Sequence, residues 1–591
     1  MEINRNTIIK DLVKKHPETL AVFKKYNLVI AGGVRGPNEP LAFFSKAHEV
    51  DYDEIAGELK EAIEKGVDDN AEPIVLEEDR VYARFVKTAI LITLTVGVTF
   101  GAVILTYIGS KGSFQSAAVF HPIIQAHGHA QLFGWVGLCI IGFAYYIVPR
   151  VKNIELKHRE LTTTSFWLMV TGIVIRTFAQ PYANEMTNIL LPISGLLEFA
   201  AVITFAYIIF STVFSSKENI EIYDKFIKVG VLWFVVCSII NIFMDVYMFF
   251  TNSHEIPRAF YSPFVHMYLL GFVFMFIFAV NIRTVYAFLD VKTPSPTAVN
   301  TTFWLLNLII PFYFITNFLS YEFPFLLKAS YFTIYVVAFS LLTFVYGIRV
   351  FERSTRELDD VVMDRSYAKT IRAAYVWLII GVLILGAKPF LGAFSEGQYL
   401  FHGAANHALA VGFITMMIMG YASKMVPTFR GVNMYSVRLS DMTFILINLG
   451  CFLRVFTQVM IGLKGDFYYA LIGFSGWIEF AAIGMFGYNI WKSINAEEED
   501  DDVEDKKERL KEITKDTKIN DAIEQYPETL DVFLKFGFKQ LSNPVARKTI
   551  AKVFTIEQAT KIHPVDIGDL LKALNEKVPK DKPISEGGSD F

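Results

Sequence analysis

The chain has 591 residues, 53% of them hydrophobic, with 54 phenylalanines and a mean hydropathy of +0.39. A soluble domain of ordinary composition is excluded, because only repeated apolar runs of about 20 residues produce such content. The formal net charge of −4 says little about partners, and nucleic acid is not expected among them. Cys139, Cys237 and Cys451 all lie in apolar runs without CxxC spacing, which argues against a disulfide framework or a cysteine-held metal.

The first twenty residues, MEINRNTIIKDLVKKHPETL, are charged and amphipathic and do not read as a signal peptide. They open a helical domain expected over 1–66, followed by a linker over 67–83. Twelve apolar runs then lie near 84–109, 122–149, 161–181, 190–213, 226–250, 262–288, 299–318, 325–350, 371–394, 402–427, 440–463 and 467–492. Each is long enough to span a bilayer, so 84–492 reads as a membrane domain. A charged linker over 493–512, a second helical domain over 513–579 and a tail over 580–591 follow. An even number of spans puts both termini on one side. The loops on that side hold eighteen Lys and Arg and the opposite loops five, which predicts cytoplasmic termini and an inner-membrane protein.

The two ends repeat each other. TIIKDLVKKHPETLAVFKKYNL from Thr7 matches TKINDAIEQYPETLDVFLKFGF from Thr517, and both threonines read as helix N-caps. Each end has its own apolar pattern and a polar join, as an independent domain has.

The membrane part repeats as well. GIVIRTFAQ (172–180) matches GCFLRVFTQ (450–458), and ISGLLEFAAVITFAY (193–207) matches FSGWIEFAAIGMFGY (474–488). His129 stands 47 residues before Arg176, and His407 stands 47 before Arg454. Each of these histidines lies 20 residues before a helix-ending proline, Pro149 or Pro427. A weaker copy, HMYLLGF from His266, shares His-x-x-x-x-Gly with HAQLFGW and HALAVGF. The twelve spans therefore read as three four-helix units, with histidines starting the second, sixth and tenth spans.

Depth collects the polar residues into one outer layer. His127, His129, His266, His402 and His407 begin their spans there, Arg176, Gln180, Arg454 and Gln458 end theirs there, and Glu198, Glu479 and Asp245 lie close by. Ionisable groups inside a membrane mark function by default. Imidazoles suit axial ligation of haem iron or copper, arginine suits propionate, and Glu or Gln suits the free N–H of a ligand histidine. His127 and His129 point about 200° apart and His402 and His407 about 140° apart, so neither pair serves one metal. Plainer readings compete. His121, His254 and His402 suit an interfacial position. Arg176 with Glu198, and Arg454 with Glu479, suit internal ion pairs. Asp245 suits a bond to a neighbour, and Tyr145 and Tyr146 suit packing.

With histidines on the second, sixth and tenth of twelve spans, the membrane part resembles the catalytic subunit of haem-copper oxidases. HGHAQLFGW and NHALAVGFITMMIMG resemble the NnrS family more closely, which implies haem, copper and a link to nitric oxide. Ala130-Gln131 stands where that family has Glu-Met. The oxidases' copper also needs a histidine pair on the seventh span, and 299–318 has none. Leu270 stands where their sixth span has a tyrosine. The end domains resemble the small helical domain at the front of di-iron proteins that repair iron–sulfur clusters, but VIAGG (29–33) replaces its Cys-Cys turn.

The expectation is thus an all-α polytopic protein with twelve transmembrane helices in three pseudo-repeated units, haem-copper-oxidase-like, and small helical domains at both ends. It would bind haem and act in nitric oxide response or metabolism. His129 and His407 would be axial ligands between the second and tenth helices, with Arg176 and Arg454 at the propionates. Gln180, Glu198, Gln458 and Glu479 would support them. His127, His266 and His402 would form a second metal site, with copper the candidate ion. Expected partners are nitric oxide or another small gas, the lipid bilayer, and a cytoplasmic protein met by the end domains. Two other readings are a divergent haem-copper oxygen or nitric oxide reductase, using His266, Glu198 and Glu479, and a transporter lined by Arg, Glu and His.

Overall fold

The structure is a computed structural model and describes residues 3–26, 37–66, 80–114, 120–182, 187–217, 220–391, 398–464, 466–496, 512–538, 541, 554–562 and 565–578. The turn at 29–33, nearly all of the first linker, most of the charged linker and the tail lie outside these residues. Twelve described helices have the length and hydropathy to cross a membrane. They are α1 (Val81–Lys111), α2 (His121–Val151), α3 (Leu161–Ala179), α4 (Leu190–Ser215), α5 (Ile222–Thr251), α6 (Arg258–Leu289), α7 (Pro296–Leu319), α8 (Pro324–Ile348), α9 (Ser366–Ala387), α10 (Leu400–Arg430), α11 (Val437–Leu463) and α12 (Tyr469–Ile494). Among the described residues there is no β-strand, only two isolated bridges.

The three histidine-bearing helices are the inner ones. The apolar windows of α2, α6 and α10 are 89, 83 and 78% buried, against 28–50% for the other nine. A helix that is apolar all round belongs in such a position. Pro149 and Pro427 lie within the final turn of α2 and α10, which continue to Val151 and Arg430.

Each inner helix loosens just after its histidine. A π-helical stretch runs over Ala130–Gly137 in α2, Tyr268–Val273 in α6 and Ala408–Thr415 in α10. Such turns are rare and concentrate at functional sites. The glycine five residues after each histidine packs on the helix before it. A Cβ on Gly134 would meet Ile92 at 2.6 Å, one on Gly271 Trp233 at 2.7 Å, and one on Gly412 Trp377 at 2.5 Å. The two tryptophans repeat their own bond as well. Trp233 Nε1 donates to Asn307 Oδ1 (2.8 Å) and Trp377 Nε1 to Asn448 Oδ1 (3.0 Å). The weak middle copy is therefore a full third unit.

The end domains share local geometry. Ile9 N–H donates to Glu39 O and Leu41 N–H to Thr7 O; in the second copy Ile519 donates to Phe554 and Ile556 to Thr517. Asp51 and Asp566 cap equivalent helices with their side chains. Thr7 and Thr517 are not N-caps. Their hydroxyls accept from the N–H groups of Asn4 (2.8 Å) and Thr514 (2.9 Å), closing the turn before the helix.

The two ends differ in their surroundings. Residues 497–591 form a compact unit of their own, whereas the first domain belongs to the same unit as the membrane helices. Lys46 bonds Asp290 at the end of α6. Glu39 bonds Lys424 and accepts from Thr428 Oγ1 (2.8 Å) on α10, and Arg283 donates to Ala47 O (2.6 Å). The first copy is thus docked across the terminal-side ends of α6 and α10.

Candidate functional site

The polar layer resolves into three buried centres, one in each unit. Each combines the unit's own histidine with the residue 47 positions later. Each also receives a ring from the inner helix of a neighbouring unit.

The side chains of the first centre bond chiefly to one another, with Asn241 Oδ1 the buried atom left without a partner. His129 Nε2 and Glu198 Oε1 share a 2.8 Å hydrogen bond, and Asn241 Nδ2 donates to Glu198 Oε2 (2.9 Å). Arg176 pairs with Asp245 of α5 and donates from Nε to Gln180 Oε1 (2.9 Å). Gln180 Nε2 continues to Gln125 Oε1 (3.1 Å), and Gln125 Nε2 to Ile256 O (2.7 Å). All seven side chains are buried. The ion pair expected between Arg176 and Glu198 is replaced by Arg176 with Asp245. The reason is steric: Gly195 of α4 has no side chain, and the Asp245 carboxylate fills the place its Cβ would take. Tyr261 of α6 completes this centre from the neighbouring unit, lying against Gly128.

In the second centre Tyr313 stands where the other units carry arginine, 47 residues after His266. Its hydroxyl bonds His266 Nδ1, and His266 Nε2 bonds Asn406 Oδ1 at 2.8 Å. His402 of α10 crosses the His266 ring at 74°, with 4.9 Å between centroids, and its Nε2 bonds Ser262 Oγ (2.8 Å). The structure therefore brings together two of the three histidines expected to share a metal and puts His127 elsewhere. Both ring nitrogens of His266 are engaged, so copper does not fit this arrangement. Among the described residues no group of three or more His, Cys, Asp or Glu is placed to hold a metal ion.

The third centre has open valences. His407 Nδ1 is tied to Gly403 O (2.8 Å), and His127 Nδ1 to Gly97 O. A ring nitrogen committed to a carbonyl leaves Nε2 with the lone pair, which is how ligand histidines are held. His127 and Arg454 both lie within electrostatic reach of His407. Both imidazoles keep part of their surface accessible, whereas Ala126, Ala405 and Ala408 beside them are sealed. Arg454 Nε and Nη1, Gln458 Oε1 and Glu479 Oε1 are buried without a hydrogen-bond partner. At the junction matching Gly195 with Asp245, Gly476 of α12 sits on Ala102 of α1. Since α1 carries no carboxylate, Arg454 lacks the counterpart that Asp245 gives Arg176.

His121 pairs with Glu255 at 3.3 Å, both half exposed, an interfacial position as expected. Sequence reasoning missed Tyr313, Asn406, Asn241, Gln125 and Tyr261. Only Tyr313 carried a signal, the repeated spacing of 47.

Fold and centres together define a multi-pass helical membrane protein with three pseudo-symmetric, histidine-bearing sites inside the bundle. The family model described as NnrS protein matches residues 85–495, well over half of the sequence, and the chain belongs to that family. It is thereby a membrane protein linked to the nitric oxide response. A domain of unknown function, DUF1858, matches residues 513–571. No curated protein matches the chain.

Proposed function

We propose that the third centre holds a haem between α2 and α10, and that the protein uses it in nitric oxide response or metabolism. The carrying observation is a pair of imidazoles, each with Nδ1 on a backbone carbonyl, beside a buried guanidinium with two unpartnered N–H groups. His407 and His127 would hold it, in place of the expected His407 and His129, because His129 Nε2 is already bonded to Glu198. Arg454 would meet a propionate, with Gln458 and Glu479 as further polar neighbours. A bound haem would supply redox chemistry and affinity for a diatomic gas.

The rest falls to this chain's own residues. Gly97 O and Gly403 O fix the two rings. Gly101 has no side chain, and a Cβ there would meet His127 Cε1 at 2.9 Å, so the ring lies flat against α1. In the first centre the His129–Glu198 bond ties α2 to α4. The excess of basic residues in the terminal-side loops supports an inner-membrane protein with cytoplasmic termini. The visible spectrum of the purified protein tests the reading. A Soret band that disappears in His407→Ala is expected; a colourless wild-type protein, reconstituted with haem and still colourless, points to transport instead.

A further inference from the structure

Away from the buried centres, the loop between α8 and α9 forms a cavity of about 470 Å³ lined by Phe351, Glu352, Arg353, Ser354, Arg356 and Arg372. Its lining holds three arginines and one carboxylate, and that carboxylate pairs with Arg349 at 3.6 Å. Arg372 is held by the carbonyls of Val350 (3.3 Å) and Leu289 (3.4 Å). The Arg353 and Arg356 side chains make no hydrogen bond or ion pair with a described residue.

The loop carrying them is fixed. Asp290 accepts from Ser354 Oγ (2.6 Å) and Thr355 Oγ1 (2.8 Å), and Thr355 N–H donates to Asp290 O (2.7 Å). From the first domain, Lys46 reaches Thr355 Oγ1 (2.7 Å) and pairs with Glu357 (3.0 Å). Arg5 pairs with Asp360 (2.7 Å), and Asn6 Oδ1 accepts from Val362 N–H (2.7 Å). Arg349 and Arg356 sit at φ +60° and +63°, a left-handed conformation that non-glycine residues adopt at a cost and hold only where the surroundings impose it. The first domain therefore preorganises an arginine cavity.

Its depth identifies the ligand class. The loop starts directly after α8 ends at Ile348, and Arg372 lies in the second turn of α9. The cavity is thus at the edge of the membrane slab. Below it the outward face of α8 carries Phe339, Leu342 and Tyr346, and Phe351 follows in the loop, all exposed. We propose that this cavity binds the phosphate of an anionic phospholipid, with the acyl chains along that face. Guanidinium forks match phosphate oxygens in pairs, and basic pockets at helix ends select anionic headgroups. A choline headgroup would put its own cation among the arginines.

The test uses the full-length protein in neutral detergent, titrated with phosphatidylglycerol, phosphatidylcholine or glycerol 3-phosphate and read by thermal unfolding and native mass spectrometry. Saturable binding of phosphatidylglycerol alone is expected. Arg353→Gln with Arg356→Gln should weaken it at least tenfold while leaving lipid-free unfolding unchanged, since neither side chain has a partner to lose. Equal binding of both lipids, or undiminished affinity in the double variant, overturns the proposal. Competition by glycerol 3-phosphate at the lipid's own concentration overturns the lipid assignment in favour of a soluble phosphate ester.

Discussion

The Tyr313 hydroxyl bonds His266 Nδ1 from the position that arginine occupies in the other two units. The middle unit has thus exchanged a cation for a neutral donor, and its α8 carries no carboxylate to match one. Tyr313→Phe should therefore cost about 1 kcal/mol, the net worth of one buried hydrogen bond. Tyr313→Arg should cost several times more, because a buried charge without a partner is introduced. Unfolding of the two variants in the same detergent ranks them; a reversed order would deny the exchange.

Haem retention should separate the two histidines of α2. His127→Ala and His407→Ala should each abolish the low-spin haem spectrum, whereas His129→Ala should keep it and lower stability by leaving Glu198 buried without its ring partner. Absorbance spectra of the three variants decide. Loss of haem in His129→Ala with retention in His127→Ala would restore the pairing expected from the repeat.

The two arginines should fail differently. Arg176→Gln leaves Asp245 buried and unpaired, for a loss of about 3–5 kcal/mol that Asp245→Asn in the same chain recovers. Arg454→Gln removes a guanidinium that lacks hydrogen-bond partners for Nε and Nη1. Its main effect should be a lower haem reduction potential, since a fixed positive charge favours reduced iron. Redox titration and unfolding, run on both variants, distinguish the roles.

Acid should loosen the first domain. His48 is half-buried, stacks on Phe44 at 4.1 Å, and is pushed down to about 3 by burial and by the nearby Arg283 charge. Its neutral form is the one the folded state holds. The stability this gives is complete above the ordinary histidine value near 6.5 and is lost as pH falls from there toward 3. Limited proteolysis within residues 3–66 should therefore quicken between pH 6 and pH 4, and less so in His48→Phe.

Glycine substitutions test the inner helices. Gly271→Ala and Gly412→Ala drive a methyl into Trp233 and Trp377 and should cost about 1–3 kcal/mol each. Gly484→Ala in α12 meets nothing within 4 Å and should instead stabilise by about 0.5–1 kcal/mol. Equal effects at the three sites would contradict the packing.

The twelve spans were legible because long apolar runs have no competing explanation, and the units were legible because spacing survives where residue identity does not. Partners were harder. Asp245, Tyr261, His402 and His127 all reach a centre from a neighbouring unit, and comparing units with one another says nothing about contacts between them. Glu198 suits Arg176 because both belong to one unit, whereas Gly195 opens that place to Asp245 of the next. The spacing of 47 points to Tyr313 as directly as to the arginines, but a tyrosine among many aromatic residues of apolar spans carries no sign of a polar role. Thr7 and Thr517 fitted the composition of a helix cap, and only the course of the backbone shows them closing the turn ahead of it.

The π-helical stretches give chain length a directional meaning. Such a stretch accommodates one residue more than the α-helix it interrupts. Removing a single residue between Ala130 and Gly137 would restore the regular helix and leave the terminal-side half of α2 in its packing. Every residue ahead of the deletion would turn by about 100° and shift by about 1.5 Å. His127 would swing away from α10, and His129 from Glu198, with no histidine replaced. A one-residue insertion or deletion here would therefore uncouple a centre from its unit while leaving every side chain of that centre in the sequence.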